Sequence, residues 1–269
     1  MKTFREKVAV ITGAGSGIGR YLAILLAKDG ADVCVCDVNE ETLNETAGML
    51  RKYNVSVSSH LLDVSDKESI EALPQKIIDQ HGKVDLVFNN AGVTTGAHFK
   101  DMDEDNWDWV MGINFDGVVN STRAFIPHLI NNTEAAIVNT SSIFGMVTVP
   151  GQTVYHATKF AVRGFTESLA LEMAQTNPNL QIHCVHPGHI GTNIAATARM
   201  SDEDFESTQP RSSIFTKNAP KTQQEMGELF REGGMHPSKA AQIILNGVKK
   251  NKSRIFIGLD AKLLDLSQR

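Results

Sequence analysis

The stretch VAVITGAGSGIG, residues 8–19, joins an apolar run of strand length to a cluster of glycines, and a helix-like segment at about 17–29 follows at once. Glycines let the backbone turn sharply and approach a ligand, while the N–H groups at a helix start suit a pyrophosphate. The spacing is Gly13, Gly17 and Gly19 with Gly15 extra, so a literal G-x-G-x-x-G is absent. Tight strand–helix turns also need glycines without any ligand. The weight toward a phosphate loop comes from its place, straight after the first strand of a β–α alternation.

That alternation continues outward. Segments 7–12, 32–37, 55–63, 84–90, 135–142, 181–187 and 254–258 are seven candidate strands, rich in Val and Ile and nearly continuous in apolarity. Such strands suit a parallel sheet covered on both faces. Helices are expected at about 17–29, 40–52, 66–81, 103–130, 153–175 and 237–250. Asn39 before Glu40 and Glu41, and Ser65 before Asp66 and Glu68, place caps and acids at helix starts. The expected fold is α/β, a doubly wound parallel seven-stranded sheet with helices on both faces, in a single domain over 1–269. Only 191–235 breaks the rhythm. An insertion of that length is usually functional or disordered. Its apolar residues (Ile194, Met200, Phe205, Ile214, Phe215, Met226, Leu229, Phe230) suit a lid over a pocket.

The composition narrows the partners. The chain has 269 residues, 41% hydrophobic, with 26 Lys and Arg against 31 Asp and Glu, a net charge of −5. No basic surplus points to nucleic acid or an anionic membrane. No window approaches the ~20 apolar residues of a membrane span. Charges at Lys2, Arg5, Glu6 and Lys7 interrupt any signal-peptide run. Cys34, Cys36 and Cys184 fall in apolar strands and are expected as buried thiols, without metal, in a reducing cytoplasm.

Asp37 ends the second strand, eighteen residues beyond Gly19. This is near the offset of about 20 at which an acid takes the ribose hydroxyls of NAD. A carboxylate there repels the 2′-phosphate of NADP, and neither Ser16 nor residues 38–41 supply a base to hold it. The sequence therefore favours NAD over NADP.

In YHATK, residues 155–159, Tyr155 and Lys159 share one helix face. A phenol titrates near ~10 and is a poor base at neutral pH, but a neighbouring cation lowers that value. Alone, Y-x-x-x-K carries little. Together with the other motifs it resembles the short-chain dehydrogenase/reductase family over almost the whole chain. Thr12–Gly19 matches T-G-x-x-x-G-x-G, Asn89–Gly92 matches N-N-A-G, and Pro187–Thr192 matches P-G-x-x-x-T. Asp63 and Val64 match the acidic-apolar pair at the adenine, Asn114 the helix asparagine, and Ser142 the serine thirteen residues before the tyrosine. Thr158 stands where the family usually has serine.

The resemblance implies a Rossmann-type fold and an oxidoreductase of alcohols and carbonyls. It implies Tyr155 as acid–base, Lys159 lowering the tyrosine pKa and holding the nicotinamide ribose, Ser142 on the substrate oxygen, and Asn114 linking Lys159 to a relay water. It places the cofactor on Gly13, Ser16, Gly17, Ile18, Gly19, Asp37, Asp63, Val64, Asn90, Ala91, Gly92, Tyr155, Lys159, Pro187, Gly188, Ile190 and Thr192. Substrate is expected at Ser142, Phe144, Gln152, Tyr155 and His189, with an apolar body: medium-chain, alicyclic, steroid-like or lipid-derived. A small polyol is the competitor. The helices at 103–130 and 153–175 pair subunits in relatives, so a homo-oligomer, tetramer or dimer, is expected. An NADPH-dependent ketoreductase and a dinucleotide sensor without turnover remain as alternatives.

Other signals weigh less. His186 and His189 flank Pro187-Gly188, where polar residues at a strand end are the simpler reading. His156 lies inside the tyrosine–lysine turn but faces away from it by helical geometry. Trp107 packs with Val110, Met111 and Asn114 on one face. Arg199 and Arg211 are the candidate anion holders.

Overall fold

The computed structural model describes residues 1–208 and 220–258, together with Ala261. Seven strands form one parallel sheet in the order β3-β2-β1-β4-β5-β6-β7. They are β1 (Val8–Thr12), β2 (Asp32–Asp37), β3 (Val57–Leu61), β4 (Leu86–Asn89), β5 (Ala135–Thr140), β6 (Leu180–Pro187) and β7 (Arg254–Ile257). The helices among the described residues are α1 (Gly17–Lys28), α2 (Glu40–Leu50), α3 (Lys67–His81), α4 (Glu104–Met111), α5 (Gly117–Leu129), α6 (Thr153–Thr176), α7 (Asp202–Thr208), α8 (Gln223–Gly233) and α9 (Pro237–Lys249).

Strand residues alternate between two cores, which explains their unbroken apolarity. Ala9, Ile11, Val33, Val35 and Phe88 pack with Leu22, Leu26, Ile244 and Leu245 of α1 and α9. Val8, Val10, Cys34, Cys36 and Ile137 pack with Ile70, Ile77, Phe125 and Leu169 of α3, α5 and α6. With both faces covered, the inner strands are apolar on both sides, while the edge strand β3 (VSSHL) is left partly exposed. The three cysteines are free and buried. Successive strands step outward from β1 to β3, and the chain then returns to place β4 beside β1. That reversal leaves a crevice beyond the carboxyl ends of β1 and β4, the usual ligand site of such sheets.

One expectation changes. The helix foreseen at 103–130 is interrupted by a π-helical turn at Gly112–Asp116, between α4 and α5. Inserting a residue into the helical ladder re-aims side chains, and such turns gather at functional sites. Here Asn114 is fully buried and spends its amide on Val93: Oδ1 accepts from Val93 N at 2.8 Å and Nδ2 donates to Val93 O at 2.9 Å. Within 191–235, α7 and α8 fold; Ile214, Phe215 and Arg211 lie outside the described residues. A bridge between Ile190 and Met235 closes the base of this segment, and one between Thr95 and Arg199 ties its first part to the loop after β4.

A buried polar chain links the centre of the sheet to its helices. Asn89 Nδ2 donates to Asn139 Oδ1 at 2.8 Å, Ser121 Oγ donates to Asn89 Oδ1 at 2.7 Å, and Asn139 Nδ2 donates to Thr166 Oγ1 at 3.1 Å. Replacing one member strands its buried partners. Asn139→Leu, of similar size, is therefore expected to cost about 1–3 kcal/mol, read as a lower urea midpoint at unchanged slope. An unchanged midpoint would show that the chain contributes nothing net.

Candidate active site

The crevice is built by two loops. After β1, Thr12 turns its hydroxyl to the loop after β4, accepting from Asn90 N at 3.0 Å and Ala91 N at 3.1 Å. Asn90 answers with Nδ2 donating to Thr12 O at 3.1 Å. Gly17 has φ +51°, and a Cβ there would lie 3.1 Å from the Thr192 methyl, so Thr192 comes down over the glycine loop. At Gly19 a side chain would run into the carbonyl of Gly13. Ile18 is buried between them. Ser16 caps α1 without a side-chain hydrogen bond, which leaves first-turn N–H groups for an anion.

Asp37 closes the β2 side. Its carboxylate accepts from Gly15 N at 2.8 Å and Asn39 N at 3.0 Å, so it is fixed against the glycine loop. Asp63 is exposed just beyond β3 and accepts from Ser65 N at 2.8 Å, while Val64 is buried against Gly117. One residue here was missed by sequence reasoning, which sought bases only within the glycine loop and just after Asp37. Arg20 donates to Gly15 O and Thr42 O, to Thr46 Oγ1 at 2.9 Å and to Glu45 at 2.8 Å, bracing loop and α2 together. Its signal was a base directly after the last glycine.

On the other side, α6 presents Tyr155 and Lys159 one turn apart, with the Lys159 ammonium 5.5 Å from the Tyr155 ring centre. Lys159 is 3% exposed and its Nζ donates to Thr140 O at 3.1 Å. Burial pushes its pKa down to about 8. Burial pushes the Tyr155 phenol up to about 12, with the hydrogen bond to Ser142 pulling the other way. In the chain by itself desolvation is the larger effect, and the lowering that opposes it comes from Ser142 rather than from Lys159. Gly92 faces this end of the crevice: a Cβ would sit 3.3 Å from Asn114 Oδ1 and 3.5 Å from Lys159 Nζ. Asn114 Nδ2 also reaches Thr158 Oγ1 at 3.3 Å, and that hydroxyl donates to Tyr155 O at 2.8 Å.

Of the expected substrate residues, Phe144 meets Tyr155 edge-on, ring centres 6.2 Å apart. Gln152 Oε1 lies 3.4 Å from the Thr94 hydroxyl. His189 is exposed and turned to α8, its Nε2–H donating to Phe230 O at 2.8 Å. His186 is fully buried beneath Ser142, donating Nδ1–H to Ser142 O at 3.2 Å and stacked on Phe256. Desolvation holds its pKa down at about 4. Pro187 ends β6, Gly188 N donates to Ile257 O at 2.8 Å, and Ile190 is buried at the bridge to Met235. Over the pocket side, Met200 packs on Gly96 and Thr208 on Gly151, while the Arg199 guanidinium stacks 3.8 Å from the Trp109 ring centre. The glycine loop, the Asp37 carboxylate and the gap at Gly92 together fit a dinucleotide. No group of three or more His, Cys, Asp or Glu able to hold a metal occurs among the described residues, and no helix among them is long and apolar enough to cross a membrane.

Comparison with known proteins agrees with this geometry. The family model described as short chain dehydrogenase matches residues 7–203. A Mycobacterium tuberculosis protein carrying the name oxidoreductase SadH is 39% identical over 271 residues, covering 100% of this chain and 92% of that protein. FabG of Thermotoga maritima, a 3-oxoacyl-(acyl-carrier-protein) reductase, is 33% identical, covering 96% of this chain and 98% of its own. A short-chain dehydrogenase/reductase from Burkholderia phymatum in complex with NAD superposes with a TM-score of 0.82 at 30% identity, covering 95% of this chain and 90% of that one.

The buried ammonium makes stability depend on pH. An unfolded lysine keeps its ordinary value of 10.5, against about 8 when Lys159 is folded. Between these values the unfolded state binds more protons, so stability rises with pH across the window. From about pH 7.5 to about 9.5 the wild type should gain about 2 kcal/mol relative to Lys159→Met in urea denaturation. Parallel pH profiles in the two proteins would contradict the burial of this charge.

Proposed function

The chain belongs to the short-chain dehydrogenase family of oxidoreductases acting on CH–OH groups, and from that premise we propose an NAD-dependent alcohol dehydrogenase and carbonyl reductase. Its substrate is a secondary alcohol or ketone with a largely apolar body, medium-chain, alicyclic, steroid-like or lipid-derived. The observation that carries this reading is Tyr155 one helical turn from the buried Lys159, with Ser142 acting on the phenol and Gly92 facing the ammonium.

The pyrophosphate is assigned to the Gly13–Gly19 loop and the α1 amides, the adenosine ribose to Asp37, and the adenine to Asp63 and Val64. Asn90, Ala91, Gly92, Pro187, Gly188, Ile190 and Thr192 complete the cradle. When bound there, a nicotinamide supplies the hydride acceptor for alcohol oxidation, or the donor for ketone reduction. Ser142 holds the substrate oxygen by hydrogen bond. Tyr155 takes the proton from that oxygen in oxidation and returns it in reduction. With its pKa pushed up to about 12 the phenol stays protonated at neutral pH, so it carries a proton for reduction but offers no phenolate for oxidation. The alcohol-oxidising direction thus needs a cation beside it, and Lys159 is the positioned one. Asn114 holds the Gly92–Val93 backbone where Lys159 points. Phe144 forms the apolar wall and Gln152 borders the site; His189, turned to α8, would meet substrate only from the side of the 191–235 segment.

NAD is favoured over NADP by the Asp37 carboxylate and by the Burkholderia relative solved with NAD. The second reading is an NADPH-dependent ketoreductase; the Thermotoga relative's name supports its ketone-reducing part alone. Residues 191–235 act as a substrate lid, a reading supported by the contacts of Arg199, Met200 and Thr208. Free buried thiols support a reducing cytoplasm. Exposed Phe160 and Leu171 on α6 support a homo-oligomer, dimer or tetramer, through α4, α5 and α6. Light scattering after size exclusion should give two or four times the chain mass; a monomer would remove this part.

The decisive assay is NADH formation across a panel of secondary alcohols, with NADP in parallel. NAD should support turnover, apolar alcohols should be preferred, and Tyr155→Phe should lower the rate by at least ~10²-fold. Undiminished activity of that variant would sink the mechanism. Binding of NAD with no turnover on any alcohol would make the protein a sensor or the substrate class wrong.

A further inference from the structure

We propose that His156, inside the Tyr155–Lys159 turn, is a positioning residue that shapes the substrate wall: one neutral imidazole closes the Phe144–Val149 loop and fixes Phe144 against Tyr155. The inference rests on the reading that Ser142 and Tyr155 flank the substrate.

His156 is 5% exposed on α6 and uses both ring nitrogens on the same loop. Nδ1–H donates to Phe144 O at 3.0 Å, and Val149 N–H donates to Nε2 at 2.9 Å. A carbonyl can only accept and an amide can only donate, so a single form of the ring satisfies both: neutral, with the proton on Nδ1. The loop needs such a clasp. After the short 3₁₀ turn at Ile143–Gly145, residues 147–150 run outside helix and sheet, with Val149 43% exposed.

Phe144 is the point where these contacts meet. Its N–H donates to Ser142 Oγ at 3.1 Å, its ring meets Tyr155 edge-on, and it packs on the His156 ring with centres 4.8 Å apart. Further along α6, Arg163 Nη1 donates to Gly145 O at 3.2 Å. The helix that carries Tyr155 therefore also grips the wall that faces it. Losing the imidazole bonds would loosen the wall and leave the glycine loop, Asp37 and Thr192 untouched. The expected consequence is weaker and less selective substrate binding with normal dinucleotide binding.

The test compares His156→Phe, which keeps the ring and loses both hydrogen bonds, with His156→Gln, which retains a donor and an acceptor. The readouts are KM and kcat for the best secondary alcohol, NADH affinity by fluorescence titration, and hydrogen–deuterium exchange at the Val149 amide. His156→Phe should raise KM at least ~10-fold with kcat and NADH affinity within ~3-fold of wild type, and should speed Val149 exchange. His156→Gln should restore most of both. If His156→Phe does not fold, Val149→Pro removes the donated proton while leaving the imidazole, and should reproduce the KM rise. Unchanged KM and unchanged Val149 exchange would overturn the inference. A common fall in kcat, substrate binding and NADH affinity would overturn it too, as a general packing defect. Should the wild type turn over no alcohol, the functional reading fails on its own, and Val149 exchange in the two variants decides the loop.

Discussion

The Thr12 hydroxyl, accepting from the backbone of Asn90 and Ala91, is the interaction on which the rest of the crevice depends. It sits where strand order reverses, so the loops after β1 and β4 leave the sheet side by side and diverge. Two loops with their own backbone amides exposed would otherwise need water or a ligand to satisfy them. One side-chain oxygen stitches them together and sets their spacing. That spacing puts Gly13 against the backbone of Ala91 and leaves Gly92 facing Lys159. The glycine loop and the Tyr155–Lys159 pair, distant in the sequence, are thus referred to one point.

The second constraint is the charge on Lys159. Holding an ammonium in a dry site costs free energy, which its depressed pKa expresses. The carbonyl of Thr140 returns part of that cost through one hydrogen bond. The π-turn at Gly112–Asp116 serves the same corner. By turning Asn114 inward it occupies the N–H and C=O of Val93, which lie in a loop without strand partners of their own. A regular α-helix from 103 to 130 would carry Asn114 past this position. The irregularity is therefore part of the site's construction, and its energetic cost is offset by two hydrogen bonds to otherwise stranded backbone groups.

Much of this was legible in the sequence because it is written in local terms. Seven apolar runs and the Gly13–Gly19 cluster follow from strand burial and turn geometry, and the observed strands fall within the expected spans except for a one-residue earlier start of β6 at Leu180. The place of Asp37 was legible because it depends only on where β2 ends. Three things were not. The π-turn reflects the tertiary demand of Val93 on Asn114, which no helical period encodes. Arg20 acts across space on Gly15 and Thr42, so a search confined to the glycine loop and the residues beside Asp37 passes over it. The phenol of Tyr155 was expected to be lowered by its neighbour. Spacing along a helix states who is near but not how much water has been removed, and here desolvation is the larger effect.

A histidine such as His156 illustrates the same limit from the other side. Helical geometry shows that it faces away from the Tyr155–Lys159 stripe, which is true, and invites the conclusion that it is filler. But a helix packed against a loop has work on more than one face. Side chains from α6 and β6 take up the carbonyls of Ser142, Phe144 and Gly145 in turn, through His186, His156 and Arg163. A segment with no sheet ladder is thereby given a fixed shape by the elements on either side of it. Catalysis by placement requires the reacting groups to be held before the substrate arrives. In this chain Tyr155 is held by a helix and Ser142 by a strand end. The Phe144 wall is held by the same helix, so on the proposed reading the acid–base pair and the substrate wall share one rigid body.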